Sequence, residues 1–325
     1  MQEKEALLEQ IEQAIRALPL EDIEPHGLYD PIRYILEDGG KRIRPLLCLM
    51  GADLYSGAPL EALSAAVAIE VFHNFTLLHD DIMDNAALRR GRPTVHKKWN
   101  ANSAILSGDA MLILAYRILQ DGVPGCGAGK LPELLRVFSR AAMEVCQGQQ
   151  YDMDFETSER IVSQEAYIEM IRLKTSVLLA AALEMGAIVG GASDAERKAL
   201  YDFGVRLGLA FQIQDDLLDT YGDAETFGKQ IGGDIAAGKK TFLHIAAMER
   251  ASAPQREALS APGEIAEKLP RVRAVYDALG VREIAGQTIE HYFAQALDAL
   301  RQAHPDPARR AVLESYAYSL MKRTK

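Results

Sequence analysis

The chain has 325 residues, of which 48% are hydrophobic and 25% are charged, and its 36 Lys and Arg against 46 Asp and Glu give a formal charge of −10. This composition supports a folded core and excludes wholesale disorder. It also argues against nucleic-acid binding, because no basic surplus is present to neutralise phosphates. The N-terminus lacks the apolar stretch of a signal peptide, and no apolar run reaches the roughly 20 residues of a membrane span. We therefore expect a cytoplasmic protein with no nucleic-acid partner and no transmembrane segment.

Helical periodicity dominates the chain, and alanine and leucine, which favour helices, are abundant. We expect the helix over 164–191 to be kinked or divided near Thr175. No linker rich in Ser, Pro or Gly separates two halves, so the prediction is a single all-α domain over residues 1–325. The predicted helices span residues 1–18, 31–38, 44–56, 59–84, 100–120, 131–153, 164–191, 194–220, 239–250, 264–279, 282–303 and 307–322.

One short acidic motif, Asp-Asp-x-x-Asp, occurs twice, starting at Asp80 and at Asp215. Each copy lies near the end of a predicted helix. Residues four apart on a helix are neighbours, so Asp80 shares a face with Asp84, and Asp215 shares a face with Asp219. Each pair continues an apolar stripe of its helix. We therefore expect both pairs to point inward rather than to solvent.

Such a placement of carboxylates is unfavourable unless a cation compensates it. Like charges four residues apart destabilise a helix, and carboxylates near its C-terminus oppose the helix dipole. Hard oxygen ligands in this arrangement suit Mg²⁺, which binds one or two carboxylates together with waters and substrate phosphates. The alternative for one copy is a solvated acidic helix end. Two copies that both continue apolar stripes favour the metal site.

Small groups of basic residues alternate with the acidic motifs along the chain. Lys41 and Arg44 follow the glycine turn Gly39–Gly40 at a predicted helix start, where anions bind readily. Each group alone is as consistent with a solvated loop as with a phosphate site. The other basic groups are Arg89–Arg90–Gly91–Arg92, Lys174–Thr175, Lys229 and Lys239–Lys240–Thr241.

Taken in order, these motifs resemble the trans-isoprenyl diphosphate synthases, or polyprenyl synthetases. The resemblance runs from about residue 28 to the C-terminus. It rests on Gly39–Pro45, Leu77–Asp84 with Arg89–Gly91, Gly148–Gln149, Lys174–Thr175, Phe211–Asp219, Gly228–Lys229 and Gly233–Asp234 through Lys239–Thr241.

The resemblance implies a single-domain helical bundle around a deep central cavity, normally a homodimer. It implies the head-to-tail joining of an allylic diphosphate to isopentenyl diphosphate, with release of pyrophosphate. It also implies a requirement for Mg²⁺, with three ions per active site.

The same resemblance assigns roles to individual residues around the allylic diphosphate. Mg²⁺ bridged by Asp80, Asp84 and Asp215 would stabilise negative charge on the departing diphosphate. Asp81, Asp216 and Asp219 match metal-site positions that act through water or by supporting the direct ligands. The residues that match cations holding this diphosphate are Arg89, Lys174 and Lys229.

The second substrate, isopentenyl diphosphate, needs an anion site without Mg²⁺. The matching positions are Lys41, Arg44, His73 and Arg90. For His73, the alternative is an ordinary structural histidine. Thr175 and Gln212 match positions whose dipoles stabilise the carbocation, with Lys174 beside them. Lys239 and the basic tail 322–325 match groups that close over the site.

Product length is predicted from the residues before the first acidic motif. Phe75, five residues before Asp80, is bulky and would form the floor of the product tunnel, whereas Thr76 is small. An aromatic residue here resembles the short-chain synthases, and the motif lacks the two-residue insertion of many bacterial farnesyl synthases. We therefore expect farnesyl or geranylgeranyl diphosphate. Alternatively, Phe75 is a core aromatic and a deeper residue limits the chain.

Four other interpretations remain to be distinguished. They are a longer-chain polyprenyl diphosphate synthase, a terpene cyclase, a non-catalytic subunit of a heteromeric synthase, and a Mg²⁺-binding helical protein without prenyl chemistry. The second acidic motif and the Lys41 and Arg44 pair argue against a cyclase, and two intact motifs argue against a non-catalytic subunit.

Overall fold

The structure is a computed structural model that describes residues 2–122, 129–158, 161–222 and 231–322. Nearly all of this part of the chain is helical, so the all-α prediction is confirmed. The helices up to residue 157 are α1 (Gln2–Arg16), α2 (His26–Leu36), α3 (Ile43–Ser56), a 3₁₀ turn (Pro59–Ala62), α4 (Leu63–Met83), α5 (Val95–Lys98), α6 (Ala101–Asp121) and α7 (Leu131–Thr157). The later helices are α8 (Gln164–Ile171), a π-helical segment (Arg172–Ser176), α9 (Val177–Gly190), α10 (Asp194–Tyr221), α11 (Gly233–Ala237), α12 (Phe242–Arg250), α13 (Ala253–Ser260), α14 (Ile265–Ala278), α15 (Val281–Ala303) and α16 (Pro307–Met321).

Some predicted helix boundaries were wrong, and the errors lie at proline and glycine. Helix α2 starts at His26, not at Pro31, which lies inside it. Three short helices, α5, α11 and α13, fall in stretches that were predicted as loops. Helix α13 begins with a capping box formed by Ser252 and Gln255, so its early proline starts the helix rather than interrupting it.

The predicted division near Thr175 is confirmed. Between α8 and α9 the backbone widens into one π-helical turn, Arg172–Ser176. Glycines on neighbouring helices let other backbones approach this turn. A Cβ at Gly148 on α7 would lie 2.2 Å from the Lys174 nitrogen, and one at Gly208 on α10 would lie 2.7 Å from the Ser176 Cα. Single π-turns redirect side chains and often occur at functional sites.

The chain divides into two compact units. The first contains residues 1–139 and 181–197, and the second contains residues 140–180 and 198–325. In the first unit, α3 and α4 bury Leu46, Leu47 and Ile69 completely, and a Cβ at Gly186 would lie 2.0 Å from the Cys48 carbonyl oxygen. This glycine therefore allows close packing of α9 on α3. The single-domain organisation over residues 1–325 stays a prediction.

The core of the second unit is built around helix α12. Phe242, Leu243 and Tyr276 are at most 1% exposed and pack in one cluster with Ile213 of α10. The cluster therefore connects the start of α12 to the helix that carries the second acidic motif.

Two helical stretches, Pro59–Met83 and Gln164–Gly190, are long and apolar enough to cross a membrane by length and composition. Of their most apolar windows, 67% and 78% are buried inside the protein, as in core helices. Among the cysteines, Cys48 is buried and Cys146 is exposed, and Cys126 lies outside the described residues.

Candidate active site

The first acidic motif ends helix α4. Asp80 and Asp81 lie in the last turn, and Asp84 is the C-cap residue, whose N–H donates to the Asp80 carbonyl at 2.9 Å. Asp81 is buried, Asp80 is partly buried and Asp84 is exposed. The inward prediction was therefore wrong for Asp84, because the helix ends at this residue and the chain turns away.

A short hairpin, β1 (Leu88–Arg89) and β2 (Arg92–Pro93), follows this motif. Its two turn residues, Arg90 and Gly91, have φ of 51° and 80°, which is typical of a two-residue type I′ turn. This hairpin was not predicted, because its turn has Arg-Gly in place of the usual Asn-Gly.

The hairpin places Arg89 against the middle aspartate of the motif. The Arg89 Nε lies 3.0 and 2.9 Å from the two Asp81 carboxylate oxygens, and its Nη2 lies 2.8 Å from Asp81 Oδ1. The same Nη2 is 3.6 Å from Asp80 Oδ2. Burial raises the pKa of Asp81, and the Arg89 guanidinium opposes that rise. Arg89 therefore supports Asp81 and lies beside Asp80.

The second acidic motif lies inside helix α10, one turn before its end. Asp215 is partly buried, whereas Asp216 and Asp219 are buried, so Asp219 points inward as predicted. The Asp219 carboxylate accepts the Asp234 N–H at 3.0 Å, and its carbonyl accepts the Gly232 N–H at 2.7 Å. Asp219 thereby holds the start of helix α11.

Asp216 is held by three donors from three helices. Its Oδ2 accepts the Tyr167 hydroxyl at 2.5 Å and the Phe242 N–H at 3.1 Å, and its Oδ1 accepts Gln212 Nε2 at 3.2 Å. Burial, followed by the charge of Asp234, raises the pKa of Asp216 to about 7, although the three donors oppose this. Sequence reasoning missed Tyr167; the available signal was its position two helical turns before Lys174.

A cavity of about 120 Å³ lies beside Asp216 in the second unit. On its wall the Lys174 ammonium contacts the Asp152 carboxylate at 2.5 Å, and the Thr175 hydroxyl donates to Gln212 Oε1 at 3.1 Å. The structure thus brings Lys174, Thr175 and Gln212 together as predicted. The cavity is lined by Asp152, Phe155, Glu156, Tyr167, Met170, Ile171, Lys174, Thr175, Gln212, Asp216, Asp234, Lys239, Lys240 and Thr241.

Several of these lining residues, notably Asp152, Asp234 and Lys240, were not predicted as site residues. Asp152 lies one turn after Gly148 on α7, and that spacing was the signal that could have identified it. The predicted Lys229 and residues 323–325 of the basic tail lie outside the described residues.

The basic segment before α3 contains residues with different roles. Arg42 is buried in a left-handed conformation, with its guanidinium 2.7 Å from both the Glu12 and the Glu70 carboxylates. Lys41 is exposed, and Arg44 is only partly exposed. Arg42 therefore stabilises the fold, whereas Lys41 and Arg44 are the residues of this segment that the sequence selected for an anion site.

His73 of α4 lies beside Arg44. The Arg44 Nη1 is 3.1 Å from His73 Nε2. Burial lowers the pKa of His73 well below its usual value, and the positive charges of Arg44, Arg90 and Arg89 lower it further. His73 is therefore neutral and accepts the Arg44 hydrogen bond. Burial also lowers the pKa of Arg44 to about 10.

Arg90 lies close to the same glycine turn. Its guanidinium donates to the Gly39 carbonyl and is 3.7 Å from the Asp38 carboxylate. Gly40 has φ +132°, and a Cβ there would lie 2.8 Å from the Arg90 Nη2. The positive φ of Gly40 favours glycine, and a Cβ there would displace the Arg90 guanidinium from its present position.

Phe75, the predicted tunnel floor, lies on the buried side of α4 and is 8% exposed. Its ring centroid is 5.5 Å from that of Phe72 and 4.8 Å from that of His79. Its neighbour Thr76 donates its hydroxyl to the His73 carbonyl at 2.7 Å. Phe75 is therefore part of an aromatic cluster one turn before the acidic motif.

Within the described ranges, no group of three or more His, Cys, Asp or Glu side chains is close enough to hold a metal ion. This arrangement still fits Mg²⁺, which keeps several waters and combines one or two carboxylates with substrate phosphates. In each motif the first carboxylate, Asp80 or Asp215, is less buried than the middle one, Asp81 or Asp216.

The chain is similar to known proteins over most of its length. A sequence profile described as Polyprenyl synthetase matches residues 25–279. A short chain isoprenyl diphosphate synthase of Methanothermobacter thermautotrophicus is 43% identical over 287 residues, which cover 87% of this chain and 85% of the relative. A geranylfarnesyl diphosphate synthase of Natronomonas pharaonis is 36% identical, covering 93% and 91%.

The fold of this chain is also similar to that of a solved synthase. A crystal structure of a geranylgeranyl pyrophosphate synthase superposes with a TM-score of 0.92 at 45% sequence identity, covering 99% of each chain. The helical fold of that synthase is therefore the fold of this chain. From the profile match, the relatives and the fold together, the chain belongs to the polyprenyl synthetase family and is a prenyltransferase of that family.

Proposed function

We propose that this chain catalyses the Mg²⁺-dependent head-to-tail condensation of isopentenyl diphosphate with allylic diphosphates. The product is a short-chain trans-prenyl diphosphate, geranylgeranyl or farnesyl diphosphate, and pyrophosphate is released. The observation that carries the proposal is the pair of Asp-Asp-x-x-Asp helix ends, in which Asp80 and Asp215 are each adjacent to a middle aspartate held by protein donors.

The allylic diphosphate is the group on which negative charge develops when its bond to carbon breaks. Asp80, Asp84 and Asp215 are the proposed direct ligands of Mg²⁺, and Asp81, Asp216 and Asp219 support them. When bound, Mg²⁺ supplies positive charge to the leaving diphosphate. Arg89 and Lys174 would orient the same group, since each pairs with a carboxylate at 2.5–2.8 Å in this structure.

Isopentenyl diphosphate is proposed to bind at Lys41, Arg44, His73 and Arg90. A neutral His73 accepts from Arg44 and so aims the guanidinium, whose planar donors match phosphate oxygens. This site uses cationic side chains and needs no metal ion. The allylic carbocation is proposed to lie near Thr175 and Gln212, whose dipoles stabilise positive charge, with Lys239 at the rim of the same cavity.

Product length is proposed to depend on Phe75. Phe75→Ala is expected to lengthen the main product by at least one isoprene unit, because it removes the ring one turn before Asp80. The matched control is Phe293→Ala, which removes an aromatic residue of α15 that packs edge-to-face against Tyr318. Unchanged product length in Phe75→Ala would show that another residue sets the limit.

We further propose a cytoplasmic homodimer. Helix α6 exposes Leu106 and Ile113, which are 60% and 62% exposed, on one face. Large exposed apolar side chains on one helix face favour association. The test is the molar mass of the purified chain in solution by light scattering.

The test of the proposed reaction is incubation of the purified chain with labelled isopentenyl diphosphate, each allylic primer and Mg²⁺. We expect elongation to a product of fifteen or twenty carbons and none after chelation of the metal. The control is the double variant Asp80→Asn with Asp215→Asn. A hydrocarbon formed without isopentenyl diphosphate would indicate a cyclase, a longer product would indicate a polyprenyl synthase, and no elongation would contradict the proposal.

A further inference from the structure

Four side chains on the wall of the cavity in the second unit form one continuous hydrogen-bond chain. The Thr175 hydroxyl donates to Gln212 Oε1 at 3.1 Å, and Gln212 Nε2 donates to Asp216 Oδ1 at 3.2 Å. Asp216 Oδ2 in turn accepts the Tyr167 hydroxyl at 2.5 Å. The chain therefore connects the π-helical turn, α10 and α8, and each member lines the cavity.

The direction of this chain is set at its buried end. Asp216 is 3% exposed and Tyr167 is 4% exposed. The Phe242 N–H, the start of α12, is the second donor to Asp216 Oδ2 at 3.1 Å. A backbone N–H cannot act as an acceptor, so with Tyr167 it holds Oδ2 as an acceptor, and in the ionised carboxylate Oδ1 is then the acceptor that faces Gln212.

The same direction continues along Gln212 to the cavity surface. An amide side chain has donors at one end and an acceptor at the other. With its NH₂ group turned to Asp216, Gln212 can offer only its carbonyl to Thr175. The Thr175 proton is then donated to Gln212, and the lone pairs of the Thr175 oxygen can accept from a group in the cavity.

We propose that Tyr167 is a positioning residue that fixes the donor-to-acceptor direction of this hydrogen-bond chain. Thr175 then presents an oxygen acceptor, and not a proton, to the substrate. The inference rests on the proposed function. An oxygen held with its lone pairs toward the reacting carbon stabilises developing positive charge through a preorganised dipole. If the amide were reversed, the Thr175 proton would point toward that charge and destabilise it.

The test is a double-mutant cycle that combines Tyr167→Phe with Thr175→Val. Tyr167→Phe keeps the ring and is expected to lower kcat about 10-fold, with the KM of both substrates within about threefold. Thr175→Val should lower kcat by about 10- to 100-fold. Because Tyr167 acts through Thr175, the double variant should be no slower than Thr175→Val by more than about twofold.

The matched control is Tyr221→Phe. The Tyr221 hydroxyl also donates to an aspartate, Asp277 Oδ1 at 2.7 Å, but it is not part of the hydrogen-bond chain of Thr175. Tyr221→Phe should retain the wild-type kcat. A Tyr167→Phe variant with unchanged kcat, or losses that multiply in the double variant, would overturn the inference. If Tyr167→Phe does not fold, Tyr167→Met, which also lacks the hydroxyl donor, takes its place in the same cycle with the same criteria. If the wild-type chain elongates its substrates but the kcat losses of the two single variants multiply in the double variant, only this inference is rejected. If the wild-type chain does not elongate them, the proposed function is rejected.

Discussion

The two acidic motifs have the same sequence pattern but are supported by different structures. In the first, the helix ends at Asp84, which is exposed, and the middle aspartate is paired with the Arg89 guanidinium. In the second, the helix continues to Tyr221, and among the described residues the donors to the middle aspartate are neutral. Both arrangements bury the middle carboxylate and leave the first one partly exposed. The comparison indicates that the middle position is structural in both motifs.

The largest expected effect separates the first aspartate of each motif from the middle one. Asp80→Asn and Asp215→Asn should each lower kcat by about 10²–10³-fold, because each removes a charge from the proposed metal site. The measurement is steady-state elongation at saturating Mg²⁺. Asp109→Asn, at an exposed position of α6, is the control. A loss below about 10-fold in either variant would show that its motif is not essential.

The next largest effect concerns stability and distinguishes the charged support from the neutral one. Arg89→Met should lower the free energy of unfolding by about 3 kcal/mol, because it leaves the buried Asp81 carboxylate without its cation. Tyr167→Phe should lower it by only about 1 kcal/mol. Both are measured by urea unfolding with a chelator present. Arg136→Met, whose side chain is 72% exposed, is the control. Equal losses at Arg89 and Tyr167 would remove this contrast.

The pH dependence of stability should also differ between the motifs. The pKa of Asp216 is raised from 3.8 to about 7, so between these values the folded chain binds more protons than the unfolded chain. Its contribution to the free energy of unfolding therefore falls as pH rises from about 4 to about 7. Asp216→Asn should remove a slope that approaches about 1.4 kcal/mol per pH unit. Asp81→Asn should remove a smaller slope, because Arg89 opposes the rise of the Asp81 pKa.

These slopes are measured as differences between variant and wild-type unfolding free energies from pH 4.5 to 7.5. Subtraction cancels the opposite contribution of His244, whose pKa is lowered to about 4 by burial and whose stabilisation is lost as pH falls. Equal slopes in the two variants would contradict the contrast between charged and neutral support.

The smallest effect concerns the last aspartate of each motif. Asp219→Ala should lower the free energy of unfolding by about 1 kcal/mol, because the Asp234 N–H at the start of α11 loses its acceptor. Asp84→Ala should change it by less than about 0.5 kcal/mol, since Asp84 is exposed. The same urea unfolding measurement applies, and a larger loss for Asp84 than for Asp219 would reverse the comparison.

Local patterns predicted much of the site. Spacing along one helix identified both acidic motifs, and the division near Thr175 was predicted although Gly148 and Gly208, which pack against this turn, lie far away in sequence. The partners of the middle aspartates were harder to predict from the sequence. Arg89 contacts Asp81 through an Arg-Gly turn that has no strong sequence signal, and Tyr167 lies 49 residues from Asp216.

The amino-acid pattern was sufficient to predict an acidic helical protein with two Asp-Asp-x-x-Asp motifs, for which a Mg²⁺ and diphosphate site is proposed, because periodicity and spacing act within a few turns of helix. It could not assign the basic residues of one segment, where Arg42 is buried between two glutamates and Arg44 lies against His73. Nor could it separate the buried aspartates from the exposed Asp84. Those distinctions depend on which distant backbones and side chains meet each group, and burial and long-range partners arise only when the helices pack.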